Sequence, residues 1–307
     1  MKRLLSALAV SAMTIVSAQA TTIGISMSLF DDNYLTVLRQ AMENYAKTKG
    51  DVTVRSEDAQ GDIARQQSQI DNFIASGVNA IIVMLVDADS SAAISSQAEA
   101  AGVPLVFVNQ APVNDLPTKQ AFVGSDEVLA GNMQGQEVCK ELKGTGKVVI
   151  LEGQLGTTGQ RGRTEGVHQA LSAPACKNIK IVDEKTANWM RTPAMDLVTN
   201  WISAGLDFNA VLANNDEMAL GAVQALKASG RPMNSVVIAG SDATKDALAA
   251  MKAGDLGVTV FQNATGQGKG AIDAALKLAK GEAVPNKTYI PFELVTKDNM
   301  DKYLNRN

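Results

Sequence analysis

The sequence predicts an α/β fold of two doubly wound parallel-sheet lobes joined by a multi-strand hinge. Three observations predict it. Short β-branched runs alternate with amphipathic helical stretches along the chain, the pattern of successive βαβ units. Runs such as Ala80 to Val86 and Val148 to Leu151 are apolar without alternation, as strands buried on both faces of a parallel sheet are. Behind a short leader, about 287 residues remain, enough for two domains with separate cores.

The chain opens with Met1-Lys2-Arg3, runs through an apolar stretch from Leu4 to Val16 and reaches Ala18-Gln19-Ala20, which has the small-x-small form of a signal-peptidase site. Residues 1–20 are therefore expected to be a signal peptide and Thr21 the mature N-terminus. The apolar stretch falls short of the ~20 residues needed to span a bilayer. No cysteine stands at the cleavage point, so the expected product is a free periplasmic protein rather than a lipid-anchored one.

In order along the chain, strands are expected at 22–28, 52–57, 80–86, 104–108 and 121–124, separated by helices at 33–48, 62–76 and 90–101. A second unit follows, with strands at 147–151, 179–183, 210–213, 235–240 and 258–261. Its helices fill 127–142, 161–172, 191–204, 215–229 and 243–252, and a last helix fills 264–280. No Pro/Gly/Ser-rich linker separates the units. The chain is expected to pass between lobes as strand near Gly124-Ser125, and again around Gln262-Asn263 and near Pro291. The N-terminal lobe then comprises 21–125 with 263–291, and the C-terminal lobe 126–262 with 292–307. Several crossings with few soft residues suit rigid-body closure.

Without Lys2 and Arg3 the chain has 26 basic residues against 32 acids, a net charge of about −6 with no basic cluster. That excludes a nucleic-acid partner, whose phosphates demand a positive footprint. Cys139 and Cys176 are bound for an oxidising compartment, where a pair is bridged more often than free, and they lie near the ends of helices flanking one sheet. Two cysteines and a single histidine, His168, are too few for a metal site, and no cofactor is implied. Gly153, Gly156, Gly159 and Gly162 loosely suggest a phosphate-cradling loop, but the Lys-Ser/Thr ending and the dinucleotide spacing are missing.

In open parallel sheets a ligand crevice lies beyond the carboxyl ends of the strands. There the first unit carries Asp31, Asp32, Asn33 and Tyr34, then Asp87, then Asn109 and Gln110. The second carries Thr157 to Arg163, then Asn188-Trp189, Asn214-Asn215-Asp216 and Ser241-Asp242, with Gln262 ending the strand at a crossing. Carboxylates, amides, one arginine and two aromatics suit a neutral polyol, because each hydroxyl both donates and accepts. Tyr34 and Trp189 are placed to stack on a ring's CH face from opposite lobes. For any single Asp or Asn after a strand, such as Asn33 or Asp216, an ordinary helix N-cap is the competing explanation.

Asp31-Asp32-Asn33-Tyr34, the Leu85-Val86-Asp87 strand end, Val106-Phe107-Val108-Asn109, Thr186-Ala187-Asn188-Trp189 and the block from Ala213 to Ala222 resemble the type I periplasmic galactose/glucose- and ribose-binding proteins. The resemblance covers essentially all of the chain after the leader. It implies ligand contacts at Asp32, Tyr34, Asn109, Arg163, Trp189, Asn215, Asp242 and Gln262. Gln110, standing where the ribose binder carries an arginine, is a further candidate, and Asp87 is expected to shape its loop.

The departures from those relatives narrow the ligand. Ser28 stands where the galactose binder has a tyrosine, Thr157 and Gly159 where it has a histidine and an aspartate, and Lys143 to Lys147 match no calcium loop. Asn33-Tyr34-Leu35 replace the proline-phenylalanine-phenylalanine run of ribose binders. Asp31 to Arg39 with Thr186-Ala187-Asn188-Trp189 look most like binders of myo-inositol and rhizopine-type cyclitols.

The resemblance thus implies a monomeric substrate-binding protein of an ABC importer that hands its ligand to a membrane permease, with a chemoreceptor as a possible second partner. An aldose (galactose, glucose, ribose or xylose) is the alternative ligand. A transcription regulator would need a helix-turn-helix where the leader stands. A hydrolase acting through Asp32 and Asp242 would need a defined carboxylate separation and a raised pKa, and no nucleophile–histidine pairing is visible, so no enzyme is expected.

Overall fold

The computed structural model describes residues 20–306. The expected signal peptide, save Ala20, lies outside the described residues. The first half of the chain forms β1 (Thr21–Met27), α1 (Asn33–Lys47), β2 (Val52–Asp58), α2 (Ile63–Ala75), β3 (Ala80–Val83), α3 (Ser91–Ala101), β4 (Leu105–Asn109) and β5 (Gln120–Gly124). There follow α4 (Glu127–Glu141), β6 (Thr145–Glu152), α5 (Thr158–Leu171), β7 (Asn178–Thr186), α6 (Arg191–Ser203), β8 (Ala210–Ala213), α7 (Asp216–Ala228), β9 (Val237–Ala239), α8 (Lys245–Ala253) and β10 (Val258–Phe261). The chain ends with α9 (Ala264–Ala279), β11 (Lys287–Tyr289) and β12 (Glu293–Thr296).

These strands make two six-stranded sheets, ordered β11-β5-β4-β3-β1-β2 and β12-β10-β9-β8-β6-β7. Among the described residues every pairing is parallel except β10 with β12. In each sheet the order reverses at its first strand, β1 or β6, and a crevice opens at such a switch point. Both sheets are sandwiched. In β3, Ala80 and Ile82 join the core under α1 and α9, while Ile81 and Val83 join the core on the opposite face. That two-sided burial is why these strands read as unbroken apolar runs.

The chain crosses between sheets three times: after β5, between β10 and α9, and between β11 and β12. The crossings are bonded to one another. Ile290 N–H donates to Gly124 O at 2.7 Å, Ser125 Oγ to Ile290 O at 2.7 Å, and Gln267 Nε2 to Ser125 Oγ at 2.9 Å.

Several expectations are corrected. β3 stops at Val83, so Met84 to Val86 are buried as loop rather than strand. α5 begins three residues earlier than the periodicity predicts, because Thr157 caps it by accepting from Gln160 N–H. α8 begins two residues later, because Asp242 and Ala243 take positive φ of 124° and 53°. β11 and β12 were not expected at all, being short, partly polar edge strands. Asp32 and Asn215 are the N-caps of α1 and α7, so Asn33 and Asp216 are first helical residues and not caps.

Cys139 at the end of α4 is disulfide-bonded to Cys176, with a Cα–Cα distance of 5.7 Å. The glycines read as a loose phosphate loop act otherwise in part, since Gly159 and Gly162 lie inside α5. A Cβ on Gly162 would come 2.6 Å from Glu127 Cβ, and one on Gly131 of α4 would come 1.9 Å from Arg163 O. Glycines on both helices let α4 and α5 touch backbone to backbone.

Candidate functional site

All nine predicted site residues line one cavity between the lobes. Asp32, Tyr34, Asn109 and Gln110 come from the first lobe. Arg163, Trp189, Asn215 and Asp242 come from the second, with Gln262 at a crossing. Leu29, Leu35, Met84, Leu85 and Val86 supply an apolar wall. The combination of apolar walls with few convergent polar groups is typical of small-molecule sites.

Arg163 is the hub. The contact of α4 with α5 brings Glu127 to it, and Arg163 Nε donates to Glu127 Oε2 at 2.7 Å. Nη1 donates to Asn214 O at 2.7 Å and approaches Asp242 Oδ1 at 3.4 Å, while Nη2 donates to Gln262 Oε1 at 3.0 Å. The guanidinium also stands 5.6 Å from the Trp189 ring centroid, within cation–π range. Burial disfavours its charge, but Glu127 and Asp242 outweigh that and hold Arg163 firmly protonated.

Burial pushes Asp242 well above the usual carboxylate range, against the pull of Arg163. Asp32 is raised by burial too, although its Oδ1 accepts from Leu35 N–H at 2.8 Å, and Glu127 is raised by burial against the same arginine. One guanidinium is thus paired with two buried carboxylates, Glu127 and Asp242, and the half-buried carboxylate of Asp32 lines the same cavity. Among the described residues the buried Tyr34 hydroxyl has no hydrogen-bond partner, and burial followed by Asp242 raises its pKa. An unpaired buried hydroxyl costs ~1–3 kcal/mol, a cost that a ligand hydroxyl bonded to it would remove.

Trp189 is half-buried and lies against the backbone of Gly153, where an added Cβ would come 2.1 Å from its ring. Asn215 bonds locally: Oδ1 caps Met218 N–H at 3.0 Å and Nδ2 donates to Trp189 O at 3.1 Å, holding the tryptophan loop. Asn109, in left-handed backbone at φ 63°, donates from Nδ2 to Gln267 Oε1 at 3.2 Å. Gln110 accepts from Thr158 of the other lobe.

Asp87 is not among the lining residues. It caps a short 3-10 turn by accepting from Asp89 N–H at 2.8 Å, a loop-shaping role. His168 stands away from the cavity, with Nε2 2.8 Å from Glu184 Oε2. Sequence reasoning missed Glu127 and Gln154. Glu127 follows β5 just as Asp32 follows β1, so the strand-end rule would have found it had β5 been read as a rim strand rather than only as a crossing.

The two-lobed fold with a polar cleft at both switch points is that of type I periplasmic binding proteins. The chain belongs to the periplasmic binding protein domain family, whose sequence profile matches residues 23–283. It is 57% identical over 309 aligned positions to the "Putative rhizopine-binding protein" of Rhizobium meliloti, covering 100% of each chain. It is 37% identical to a xylitol-binding protein of Mycolicibacterium smegmatis, over 93% of this chain and 80% of that one. An ABC transporter solute binding protein from Bacillus halodurans, solved with bound myo-inositol, superposes with a TM-score of 0.89 at 39% identity, covering 95% of this chain and 100% of the other.

Proposed function

We propose that this chain is the periplasmic substrate-binding protein of an ABC importer, closing its lobes on a cyclitol of the myo-inositol kind and catalysing no reaction. The observation that carries this reading is the cavity itself. A buried arginine, the buried carboxylates of Glu127 and Asp242, the half-buried carboxylate of Asp32 and the unpaired Tyr34 hydroxyl converge on a space with apolar walls. A ring carrying hydroxyls on every side offers a donor and an acceptor wherever those groups point. Charge-assisted hydrogen bonds contribute ~1.5–3 kcal/mol each, so several suffice for the ~8 kcal/mol of a micromolar complex.

The similarity to a protein named for rhizopine binding and to one solved with myo-inositol supports a cyclitol over an aldose. Direct contacts are assigned to Asp32, Tyr34, Asn109, Arg163, Trp189 and Asp242, with Asn215 and Gln262 orienting Trp189 and Arg163. The closed form would then be presented to a membrane permease.

A thermal-shift screen of ligand-stripped residues 21–307 against myo-inositol, scyllo-inositol, xylitol, galactose, glucose, ribose and xylose tests the assignment. A rise of several degrees with an inositol and not with the aldoses is expected, because a ligand that binds only the native state stabilises it. A rise confined to an aldose would keep the binding class and overturn the cyclitol.

A further inference from the structure

Gln110 lines the cavity, but its amide oxygen is directed across the cleft. Oε1 accepts from Thr158 N–H at 2.8 Å, from Thr158 Oγ1 at 2.7 Å and from Gly159 N–H at 3.4 Å. Thr158 and Gly159 are the first two residues of α5, whose backbone donors have no partner within the helix. The Thr158 hydroxyl also accepts from Ala111 N–H at 3.0 Å, so the first lobe grips this helix end twice. Beside it Ala88 N–H donates to Gly156 O at 3.2 Å. On the far side of the cleft Asn33 Nδ2 donates to Glu217 Oε1 at 2.7 Å, and Arg191 holds that carboxylate by two bonds of 2.9 Å.

A ligand cannot enter a cavity closed by such bonds unless the lobes part, and parting breaks them all. We propose that Gln110 is a clasp: it caps α5 from the opposite lobe in the closed form, and so sets the balance between open and closed protein. This rests on the proposed binding function. Because α5 also carries Arg163, the clasp fixes the arginine's approach to the ligand, making Gln110 a positioning residue. Affinity scales with the fraction of protein in the closed form, so loosening the clasp weakens binding without removing a ligand contact.

The test is calorimetric titration of myo-inositol into wild type, Gln110→Ala, Gln110→Glu, Thr158→Val and the double variant Gln110→Ala/Thr158→Val. Gln110→Ala is expected to weaken binding at least tenfold with an unchanged melting temperature. Gln110→Glu is expected to restore at least tenfold of that loss, since a carboxylate accepts the same N–H groups and suits a helix N-terminus. The double variant should lose less affinity than the two single losses added together, because both changes remove the bond between Thr158 Oγ1 and Gln110 Oε1, while only Thr158→Val also removes the Ala111 grip. A Gln110→Glu variant as weak as Gln110→Ala would overturn the clasp in favour of a direct amide N–H contact to ligand, and a Gln110→Ala affinity within threefold of wild type would overturn it outright.

Should wild type give no heat with myo-inositol, the binding assignment fails and the clasp is tested without ligand. Small-angle scattering must then show Gln110→Ala more extended than wild type, and identical curves would refute the clasp.

Discussion

Trp189 occupies the second of two successive left-handed positions, Asn188 at φ 54° and Trp189 at φ 67°. Such backbone costs ~1–3 kcal/mol for a non-glycine residue and persists where the surroundings over-determine it. Here they do: Asn215 Nδ2 holds the Trp189 carbonyl, and Gly153 leaves room for the ring. The ring is therefore fixed at the cavity wall before any ligand arrives. Trp189→Ala is expected to weaken ligand binding more than tenfold while leaving the far-ultraviolet circular dichroism and the melting cooperativity unchanged. Unaltered affinity in that variant would show that the cleft is used differently.

At this scale the strand-end rule located every predicted residue of the cavity, because parallel sheets aim their carboxyl ends at it. The rule could not tell how each side chain is used. A residue that caps a helix and one that faces the cavity have the same sequence signature, and in Asp32 and Asn215 the two coincide. Nor could it show that Gln110 reaches across to α5, since that contact exists only once both lobes are assembled.

Among the elements, α4 and α5 matter most to the site, because their contact sets Glu127 against Arg163. Gly131 and Gly135 face α5 while Gly162 and Gly166 face α4, and a Cβ on Gly166 would come 2.1 Å from Val128 O. This four-residue spacing on two neighbouring helices was the legible signal of close packing.

The disulfide ties the other end of α4 to the segment after α5. Closing a loop across a sequence separation of 37 residues removes about 4 kcal/mol of denatured-state freedom in the chain-entropy account. Cys139→Ser/Cys176→Ser is accordingly expected to melt several degrees lower. Cys139 lies about 18 Å along the helix from Glu127 at the usual rise per residue. The same variant should therefore bind ligand as wild type does, and a parallel loss of affinity in titration would contradict that separation of roles.

At the scale of the whole molecule, two sheets of like strand order face each other across a cleft, and the chain passes between them three times. Alternating βαβ units made the fold class legible, since two-sided burial imposes unbroken apolar runs that no surface strand would show. The last two strands were illegible for the converse reason. β11 pairs at the edge of one sheet with exposed Lys287 and Tyr289, and β12 runs antiparallel at the edge of the other, so neither has the apolar imprint of a central strand. Their contribution is the third crossing, which ties the hinge together through Ile290 and Ser125.

The central claim, that this two-lobed cleft exists to hold a small polyhydroxylated ring, is tested most directly by calorimetric titration of myo-inositol into ligand-stripped residues 21–307. The account predicts one site per chain, with an affinity at about the micromolar level. No heat with myo-inositol or with any other cyclitol or aldose, even at millimolar ligand, would contradict it.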